Sequence, residues 1–351
     1  MKAIERVCVV PQVSGVGGMV SFAARFGEGL RARGLEVCSG LRCEPGGPGE
    51  PAEACDALLV IGGSRDLRGL GRIRKQGIRI VQRLNGMNWL HRRRFTGIRH
   101  FIRAEYGNFI LNFIRTRLAD HIVYQSEFSR RWWERVYGKT PVESSVVYNA
   151  VDLRTFTPDG LHLRPAERLR ILLVEGNLGG GYEIGLQTAV QLTQTLQNEH
   201  HLPVELMVIG RVAPALQAET ARTAGVPLLW AGLLEAQAIP PACRSAHLLY
   251  AADIHPACPN SVIEALACGL PVAAFDTGAL PELVTGDSGR VVPYGGDAWR
   301  LQPPDIPALA AAAAQILREN LHFRTAARAR AEAAFGLDTM LDGYLRALAG
   351  D

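Results

Sequence analysis

The sequence predicts an α/β protein with two open parallel sheets in tandem. Two series of short apolar runs alternate with helical patterns, and a polar, proline-containing stretch at 152–168 separates the two series. Continuous Val, Ile and Leu runs are typical of parallel strands that are buried on both faces. At 351 residues, of which 48% are hydrophobic and 21% charged, the chain is long enough to bury two cores.

Each series contains six predicted strands. The first comprises 7–10, 36–38, 58–61, 78–84, 121–124 and 145–148, and the second comprises 169–174, 204–209, 228–230, 248–250, 272–275 and 290–292. The segments between them are long enough for the crossover helices that parallel pairing requires. Near its end the sequence has a helical pattern with one apolar stripe, formed by Leu337, Leu341, Tyr344, Leu345 and Leu348. We expect this last helix to pack on another element.

The cysteines are scattered along the chain. They are Cys8, Cys38, Cys43, Cys55, Cys243, Cys258 and Cys268, and no two of them form a C-x-x-C pair. This pattern fits neither a disulfide framework nor a zinc site, so we expect reduced, mostly buried thiols. No run of about 18 or more uncharged apolar residues occurs, and the first residues do not resemble a signal peptide. The sequence therefore predicts a soluble, cytoplasmic protein.

Charge is distributed unevenly along the chain. Residues 1–150 contain 24 Lys and Arg against 13 Asp and Glu, a net charge of +11, whereas the remainder has a net charge of −7. Much of the excess lies in two groups: Arg72, Arg74, Lys75, Arg79 and Arg83, then Arg92, Arg93, Arg94, Arg99 and Arg103. Such a stretch is either a solvated helical face or a surface that docks on an anionic membrane or a phosphate-bearing acceptor. Docking would place the protein peripherally at the inner membrane face. No DNA- or RNA-binding signature is present, so nucleic acid is not an expected partner.

A glycine-rich turn follows the first predicted strand. Gly15, Gly17 and Gly18 precede a helical pattern, where backbone N–H groups can approach phosphate or sugar oxygens, or where glycine only allows a tight turn. The dinucleotide fingerprint G-x-G-x-x-G fails because Val20 stands where a third Gly or Ala is needed, and Glu36 precedes the apolar end of its strand. A nicotinamide-dependent dehydrogenase is therefore disfavoured.

The segment 255–272 is predicted to form a loop, a helix, a turn and a strand. Asn260 or Ser261 can cap the helix, whose first N–H groups would offer a pyrophosphate site. Ser261 and Glu264 also fit a capping box, in which the Glu264 carboxylate only satisfies a backbone N–H. The alternative role for this carboxylate is to accept hydrogen bonds from ribose hydroxyls.

Several segments together resemble the retaining glycosyltransferases of family four, which have the two-domain GT-B architecture. The similar segments are 17–18, 34–37, 123–127, 147–152, 258–272 and 277–284. The last two resemble the family's donor-site block. The resemblance implies two Rossmann-like domains whose parallel sheets face a central cleft. It places the acceptor-side domain at 1–155, with the helix 337–349 packing back on it, and the nucleotide-sugar-binding domain at 156–334.

The resemblance also implies a reaction and its site. A sugar would pass, with retention of anomeric configuration, from a nucleotide-diphosphate sugar to a glycan, a lipid-linked or a small-molecule acceptor, as in polysaccharide biosynthesis. No cofactor or divalent metal would be required. Glu264 would bind ribose, and the pyrophosphate contacts would be Cys258, Pro259, Asn260, Ser261 and Val262, with Gly17 and Gly18 as further donor contacts. Preorganised dipoles and cations would stabilise the departing nucleoside diphosphate. No dedicated nucleophile is needed if the incoming hydroxyl attacks from the side of the leaving group.

The second domain departs from the family at three charged positions. Pro256 stands where the first of two acidic residues is expected, eight positions before Glu264. The usual glycine-arginine and following lysine are replaced by 175–183, so two expected phosphate-neutralising cations are missing. Asn177 and the glycines that begin at Gly179 are candidate donor contacts there. Arg211 is the nearest substitute cation and a catalytic candidate, unless it is an ordinary surface arginine.

In the first domain, many relatives carry a histidine after the fourth strand. Asn85 is closest to that position, and Arg83 precedes it, so both are candidate catalytic residues. His91 lies nearby on the basic segment and could supply an imidazole, but we expect it to face solvent.

Two other functions remain open. One is a catalytically weak sugar-nucleotide-binding protein that keeps the fold and lacks the cations. The other is a GT-B sugar-nucleotide 2-epimerase, which is disfavoured because few carboxylates and histidines stand at the motif positions.

Overall fold

The computed structural model describes residues 4–350, apart from 16, 41–54, 96 and 180–182. The chain divides into two compact units, Met1–Ala150 with Leu337–Asp351, and Val151–Gly336. Each unit contains one sheet of six parallel strands with its own helices. Among the described residues, every helix is too short or too polar to cross a lipid bilayer.

The sheet of the first unit has the strand order β2-β1-β3-β4-β5-β6, with every neighbouring pair parallel. The strands are β1 (Arg6–Val10), β2 (Glu36–Ser39), β3 (Ala57–Ile61), β4 (Arg79–Leu84), β5 (His121–Tyr124) and β6 (Glu143–Val146). The helices between them are α1 (Gly18–Ala32), α2 (Leu67–Lys75), α3 (Ile98–Phe113) and α4 (Glu127–Tyr137). The central strand β3 is buried at every residue, which explains its continuous apolar run.

The sheet of the second unit has the strand order β12-β11-β10-β7-β8-β9, again parallel throughout. The strands are β7 (Leu169–Asn177), β8 (Val204–Arg211), β9 (Leu228–Gly232), β10 (Leu248–Tyr250), β11 (Val272–Phe275) and β12 (Gly289–Val292). The helices are α5 (Glu183–Asn198), α6 (Pro214–Thr223), α7 (Ile239–Ser245), α8 (Asn260–Ala267), α9 (Leu280–Leu283), α10 (Ile306–Arg318) and α11 (Asn320–Ala334).

The last helix, α12 (Leu337–Ala349), belongs to the core of the first unit. The Tyr344 ring lies 5.1 Å from that of Phe22 and 5.5 Å from that of Phe26, both on α1. A Cβ built at Gly29 would lie 2.6 Å from Leu341 Cδ1, so the two helices approach closely only because residue 29 is glycine. The apolar stripe predicted from sequence thus covers one side of α1.

The predicted α/β fold class is confirmed, and each predicted strand overlaps an observed one. The prediction differs most from the structure at two strands, whereas the observed bounds of the others lie within two residues of the predicted ones. β6 spans Glu143–Val146 rather than 145–148, because its exposed first residues are polar and give no apolar run. β7 continues to Asn177 past the predicted end at 174, with an irregular register between Val174 and Asn177.

The expectation of seven reduced cysteines is wrong for Cys55, which is disulfide-bonded. Five other cysteines are free thiols: Cys8, Cys38, Cys243, Cys258 and Cys268. Of these only Cys38 is not fully buried. Scattered positions in the sequence gave no spacing signal for a bridge, because a disulfide depends on which loops the fold brings together. Cys43 lies outside the described residues.

Candidate functional site

Each sheet presents the carboxyl ends of its parallel strands at one edge, where open α/β sheets bind ligands. In the first unit, this edge carries the glycine turn after β1 and Asn85 after β4. In the second unit, it carries the segments that follow β7, β8 and β10. The candidate residues predicted from sequence therefore lie at the edges where ligands are expected, distributed over both units.

The glycine turn requires glycine for its backbone conformation. Gly15 has φ 94° and Gly17 has φ 138°, in the region that residues with a Cβ rarely adopt. Gly17 is the N-cap of α1, without a side-chain cap from the described residues, and Gly18 begins the helix. A Cβ built at Gly15 or Gly17 meets no described atom within 4 Å. The start of α1 is thus open enough for a ligand to approach its N–H groups. Val16 lies outside the described residues.

Asn85 directly follows β4 and lies against the first turn of α1. Its Nδ2 is 2.9 Å from the Sδ of Met19. A Cβ built at Gly62 would lie 2.5 Å from the same nitrogen, so a glycine makes room for the Asn85 side chain. The Asn85 carbonyl oxygen accepts a hydrogen bond of 2.8 Å from Trp133 Nε1. The structure thus brings Asn85 beside the glycine turn.

Arg83 lies in the interior beneath Asn85, with 1% of its surface exposed. Its guanidinium donates to the side-chain oxygens of Asn85 at 2.7 Å, Gln125 at 2.9 Å and Asn149 at 2.8 Å. Its Cζ lies 4.1 Å from the ring centroid of Phe22 on α1. An arginine in this position does not reach a ligand directly, so we assign it the role of holding the Asn85 amide in one orientation.

Gln125 and Asn149 were not among the predicted site residues, although both lie in segments that resemble the family. Gln125 Nε2 donates to the carbonyl of Leu84 at 3.1 Å and to Asn85 Oδ1 at 3.2 Å. Asn149 Nδ2 lies 3.4 Å from Gln125 Oε1. These amides connect the ends of β4 and β5 with the residues after β6. Their positions in these segments and near strand ends were the signals that the sequence offered.

His91 was expected to face solvent, and this expectation is wrong. Only 5% of the residue is exposed, and its Nε2 lies 2.7 Å from Glu105 Oε1. Arg92 also binds this carboxylate, through Nη2 and Oε2 at 2.7 Å. The hydrogen bond with Arg92 is the largest cause that lowers the pKa of Glu105, to about 2, and His91 contributes. Glu105 lies on α3, fourteen positions after His91, so no local sequence pattern predicts their contact.

In the second unit, α8 begins without the predicted side-chain cap. Its N-cap is Pro259, with φ −71° and ψ 123°, and no side chain of the described residues caps it. Asn260 is already the first helical residue, so neither it nor Ser261 is the N-cap and the predicted capping box is absent. The N–H groups of the first turn have no acceptor within the helix, which makes this start a suitable place for an anion.

The segment Cys258 to Glu264 offers mainly backbone groups to a ligand. Cys258 is 6% exposed, Val262 0% and Glu264 8%. Asn260 and Ser261 are half-buried. The Cys258 and Val262 side chains therefore contribute to the core, and only their backbone groups are available to a pyrophosphate. A small part of Glu264 reaches the surface.

Pro256, which replaces the expected acidic residue, is part of a tight loop contact. Its carbonyl oxygen accepts a hydrogen bond of 2.9 Å from the Ala279 N–H. A Cβ built at Gly278, whose φ is 60°, would lie 2.4 Å from Pro256 Cδ. The loop after β11 thus packs directly on the loop before α8. Residue 256 holds the two loops together and supplies no carboxylate.

Asn177, Gly179 and Arg211 lie together at the ends of β7 and β8. Asn177 pairs with Arg211 in the sheet register, and Asn177 Nδ2 donates to the Gly179 carbonyl at 3.0 Å. The Leu178 N–H donates to the Arg211 carbonyl at 2.9 Å. Arg211 is exposed. β7 lies between β8 and β10 in the described sheet, so the axes of β8 and β10 are about 10 Å apart. Arg211 ends β8, and the segment before α8 follows β10. Gly180 and Gly181, which the glycine run includes, lie outside the described residues.

The same edge carries an acidic pair that no sequence pattern predicts. Glu175 lies near the end of β7, and Asp253 follows β10, the strand next to it. Burial raises the pKa of Asp253 to about 6, although a hydrogen bond with the Ile254 backbone lowers it. Burial, and then the charge of Asp253, raise the pKa of Glu175. The two acids are 78 positions apart in sequence, so only the pairing of β10 with β7 brings them together.

Part of the chain matches a protein-family model, and the whole chain resembles solved structures. Residues 170–319 match the family model described as glycosyl transferases group 1. No curated protein sequence matches the chain at a significant level.

Several solved structures resemble the whole chain. Sucrose-phosphate synthase from Thermosynechococcus elongatus has a TM-score of 0.72 at 16% identity, covering 99% of this chain and 100% of that one. HepE from Anabaena, in complex with UDP-glucose, has a TM-score of 0.70 at 15% identity with the same coverage. WaaG, a glycosyltransferase involved in lipopolysaccharide biosynthesis, has a TM-score of 0.67 at 12% identity, also covering 99% and 100%. The protein therefore has the GT-B fold, and residues 170–319 carry the sequence pattern of glycosyl transferases group 1.

Proposed function

We propose that the protein is a glycosyltransferase that moves a sugar from a nucleotide-diphosphate sugar to a hydroxyl acceptor with retention of anomeric configuration. The observation that carries this proposal is that the matched residues 170–319 include the uncapped start of α8 at the carboxyl edge of its sheet. The fold agrees with it, because HepE, which is similar in fold, is described in complex with UDP-glucose.

The donor would bind chiefly to the second unit. The N–H groups of Asn260, Ser261 and Val262 form the first turn of α8, and the helix dipole adds to their attraction for a diphosphate. Glu264 lies one turn further along the same helix, where its accessible part would accept hydrogen bonds from ribose hydroxyls. The buried side chains of Cys258 and Val262 fix the backbone around this site.

The chemical demand of the reaction is stabilisation of charge on the departing group. As the bond between the sugar C1 and the phosphate oxygen breaks, negative charge grows on the diphosphate, and dipoles already in place reduce the barrier. Arg211 is exposed and is the last residue of β8 on this edge, and we assign it the neutralising role of the missing arginine and lysine. One such donor is typically worth about 2.7–4 kcal/mol of barrier.

Transfer needs no protein nucleophile in this scheme. The acceptor oxygen forms its bond to C1 on the face from which the diphosphate leaves, and the acceptor proton passes to the leaving phosphate oxygen. The first unit would contribute Asn85, whose amide hydrogen-bonds sugar or acceptor hydroxyls, with Arg83 holding it in position. The glycine turn at Gly17 and Gly18 would let a ligand approach the start of α1. We propose no cofactor or metal.

The proposal is tested by measuring nucleoside diphosphate release and glycoside formation with a panel of nucleotide sugars and of glycan, lipid-linked and small-molecule acceptors. We expect one donor to be consumed only when an acceptor is present. Arg211→Ala should lower kcat by at least about a hundredfold, whereas the matched change of an exposed arginine on α6, Arg222→Ala, should leave it unchanged.

Two outcomes would contradict the proposal and identify the alternative. Tight binding of a nucleotide sugar with no turnover under any acceptor would indicate a binding protein that lost its cations. Conversion of a nucleotide sugar to its epimer without an acceptor would indicate a 2-epimerase.

A further inference from the structure

An apolar stripe runs along the exposed side of α3. Ile98 is 70% exposed, Ile102 62%, Tyr106 52% and Phe109 57%, at the spacing of four, four and three residues that places them on one face of a helix. Phe101 beside the stripe is 45% exposed, and Phe95 just before the helix is 90% exposed. Large side chains that are scattered singly on a surface need no explanation, but a continuous stripe does.

The opposite side of α3 is packed firmly into the first unit. Its buried residues are Ala104, Asn108, Ile110 and Leu111. Ile110 is part of a core cluster with residues of β1 and β3. Asn108 exchanges two hydrogen bonds with the backbone of Asn88, at 3.0 and 2.8 Å. The helix is therefore held flat against its unit, with the apolar stripe facing outwards.

Basic side chains border this stripe. Arg93, Arg94, Arg99 and Arg103 are all exposed. The acidic residue Glu105 is already bound by Arg92 and His91, at 2.7 Å each. Residues 90–113 contain five arginines and one acid, a net charge of +4. Exposed apolar side chains among cations are typical of helices that lie in the interface of an anionic bilayer.

We propose that this surface, formed by Phe95, Ile98, Ile102, Tyr106 and Phe109 with Arg93, Arg99 and Arg103, docks on an anionic lipid bilayer. The rings and aliphatic chains would enter the boundary between headgroups and acyl chains while the arginines bind lipid phosphates. A second copy of the chain is a poorer occupant, because a two-fold interface would bring the same cations of both copies together. The inference does not depend on the sugar-transfer reaction.

The test measures co-sedimentation of the full chain with vesicles, without any nucleotide sugar. We expect binding to phosphatidylcholine vesicles that contain phosphatidylglycerol, and little binding to phosphatidylcholine alone. The variant Ile98→Ser/Ile102→Ser/Phe109→Ser should lower the partition coefficient by at least about tenfold. Arg93→Gln/Arg99→Gln/Arg103→Gln should also lower it at least about tenfold, and added salt should weaken binding of the wild type.

The second unit supplies a matched control. Leu161 is 91% exposed and Leu163 88%, so Leu161→Ser/Leu163→Ser removes exposed apolar surface elsewhere and should leave vesicle binding unchanged. Circular dichroism and a thermal melt verify that each variant is folded. The proposal is overturned if the wild type does not bind anionic vesicles, or if the serine triple variant binds them as well as the wild type does. It is also overturned if light scattering shows a dimer that the same variant dissociates. Because no nucleotide sugar is present, none of these results tests the proposed sugar transfer.

Discussion

The carboxylate of Asp253 provides the sharpest thermodynamic prediction. Its pKa is raised from 3.8 to about 6, chiefly by burial, and the hydrogen bond with the Ile254 backbone lowers it only in part. Between about pH 4 and 6 the folded state therefore binds more protons than the unfolded state. The free energy of unfolding falls as the pH rises through this window, because deprotonation leaves a negative charge on a carboxylate that is partly removed from water.

The magnitude follows from the size of the shift. The pKa of Asp253 differs by about 2 between the unfolded and folded states, and at about 1.4 kcal/mol per pKa unit this corresponds to roughly 3 kcal/mol. Asp253 is half-buried, so solvent screens part of this cost, and we expect about 1–3 kcal/mol at pH 7.5. Asp253→Asn keeps the shape and an acceptor oxygen for the Ile254 N–H but carries no charge. The variant should be more stable than the wild type at pH 7.5 by this amount, with a smaller difference at pH 4.5.

The assay is urea unfolding followed by circular dichroism at pH 4.5 and 7.5. The matched control is Asp159→Asn, which changes an exposed aspartate of the same unit and should shift stability little at either pH. If Asp253→Asn showed the same pH dependence as the wild type, or were less stable at pH 7.5, the reasoning about this acidic pair would be refuted.

Three further predictions follow from packing and from the proposed chemistry. Arg83→Met leaves the buried oxygens of Asn85, Gln125 and Asn149 without their donor and should cost at least about 3 kcal/mol in urea unfolding, whereas exposed Arg68→Met should cost little. Gly210→Ala should lower the thermal unfolding midpoint clearly, because its φ is 146° and the new Cβ would lie 2.2 Å from the Glu175 carbonyl oxygen. The control Gly176→Ala, whose Cβ would meet no described atom within 4 Å, should be tolerated, and equal midpoints of the two variants would contradict this account. Turnover should persist within about twofold in excess EDTA if dipoles and Arg211 neutralise the diphosphate, and complete loss that Mg²⁺ restores would count against that mechanism.

The strands were predictable because parallel strands buried on both faces leave continuous apolar runs in the sequence. β3, β5 and β11 are buried at every position, and their runs were read almost to the residue. The end of β7 was not predicted, because Glu175 and Asn177 are polar although they remain in the strand. The extension of β7 depends on Gly210 of β8, which lets the backbones of the two strands approach closely.

The candidate site was most predictable where its residues are consecutive. The segment from Cys258 to Glu264 has a local pattern that predicts a loop and a helix start, and both are present. The capping box failed because Pro259 occupies the N-cap position, which shifts Asn260 and Ser261 into the helix. Gln125 and Asn149 beside Arg83, and the pair of Glu175 and Asp253, were missed because strands far apart in sequence bring these residues together.

The most direct test of the central claim is calorimetric titration of the protein with the nucleotide sugar that it binds best. If the first turn of α8 holds a diphosphate and Glu264 holds the attached ribose, Glu264→Gln should weaken binding by about tenfold, since it removes charge-assisted hydrogen bonds to the sugar hydroxyls. The exposed control Glu235→Gln should bind like the wild type. Equal affinity of the wild type and Glu264→Gln, or no binding of any nucleotide sugar, would contradict the claim.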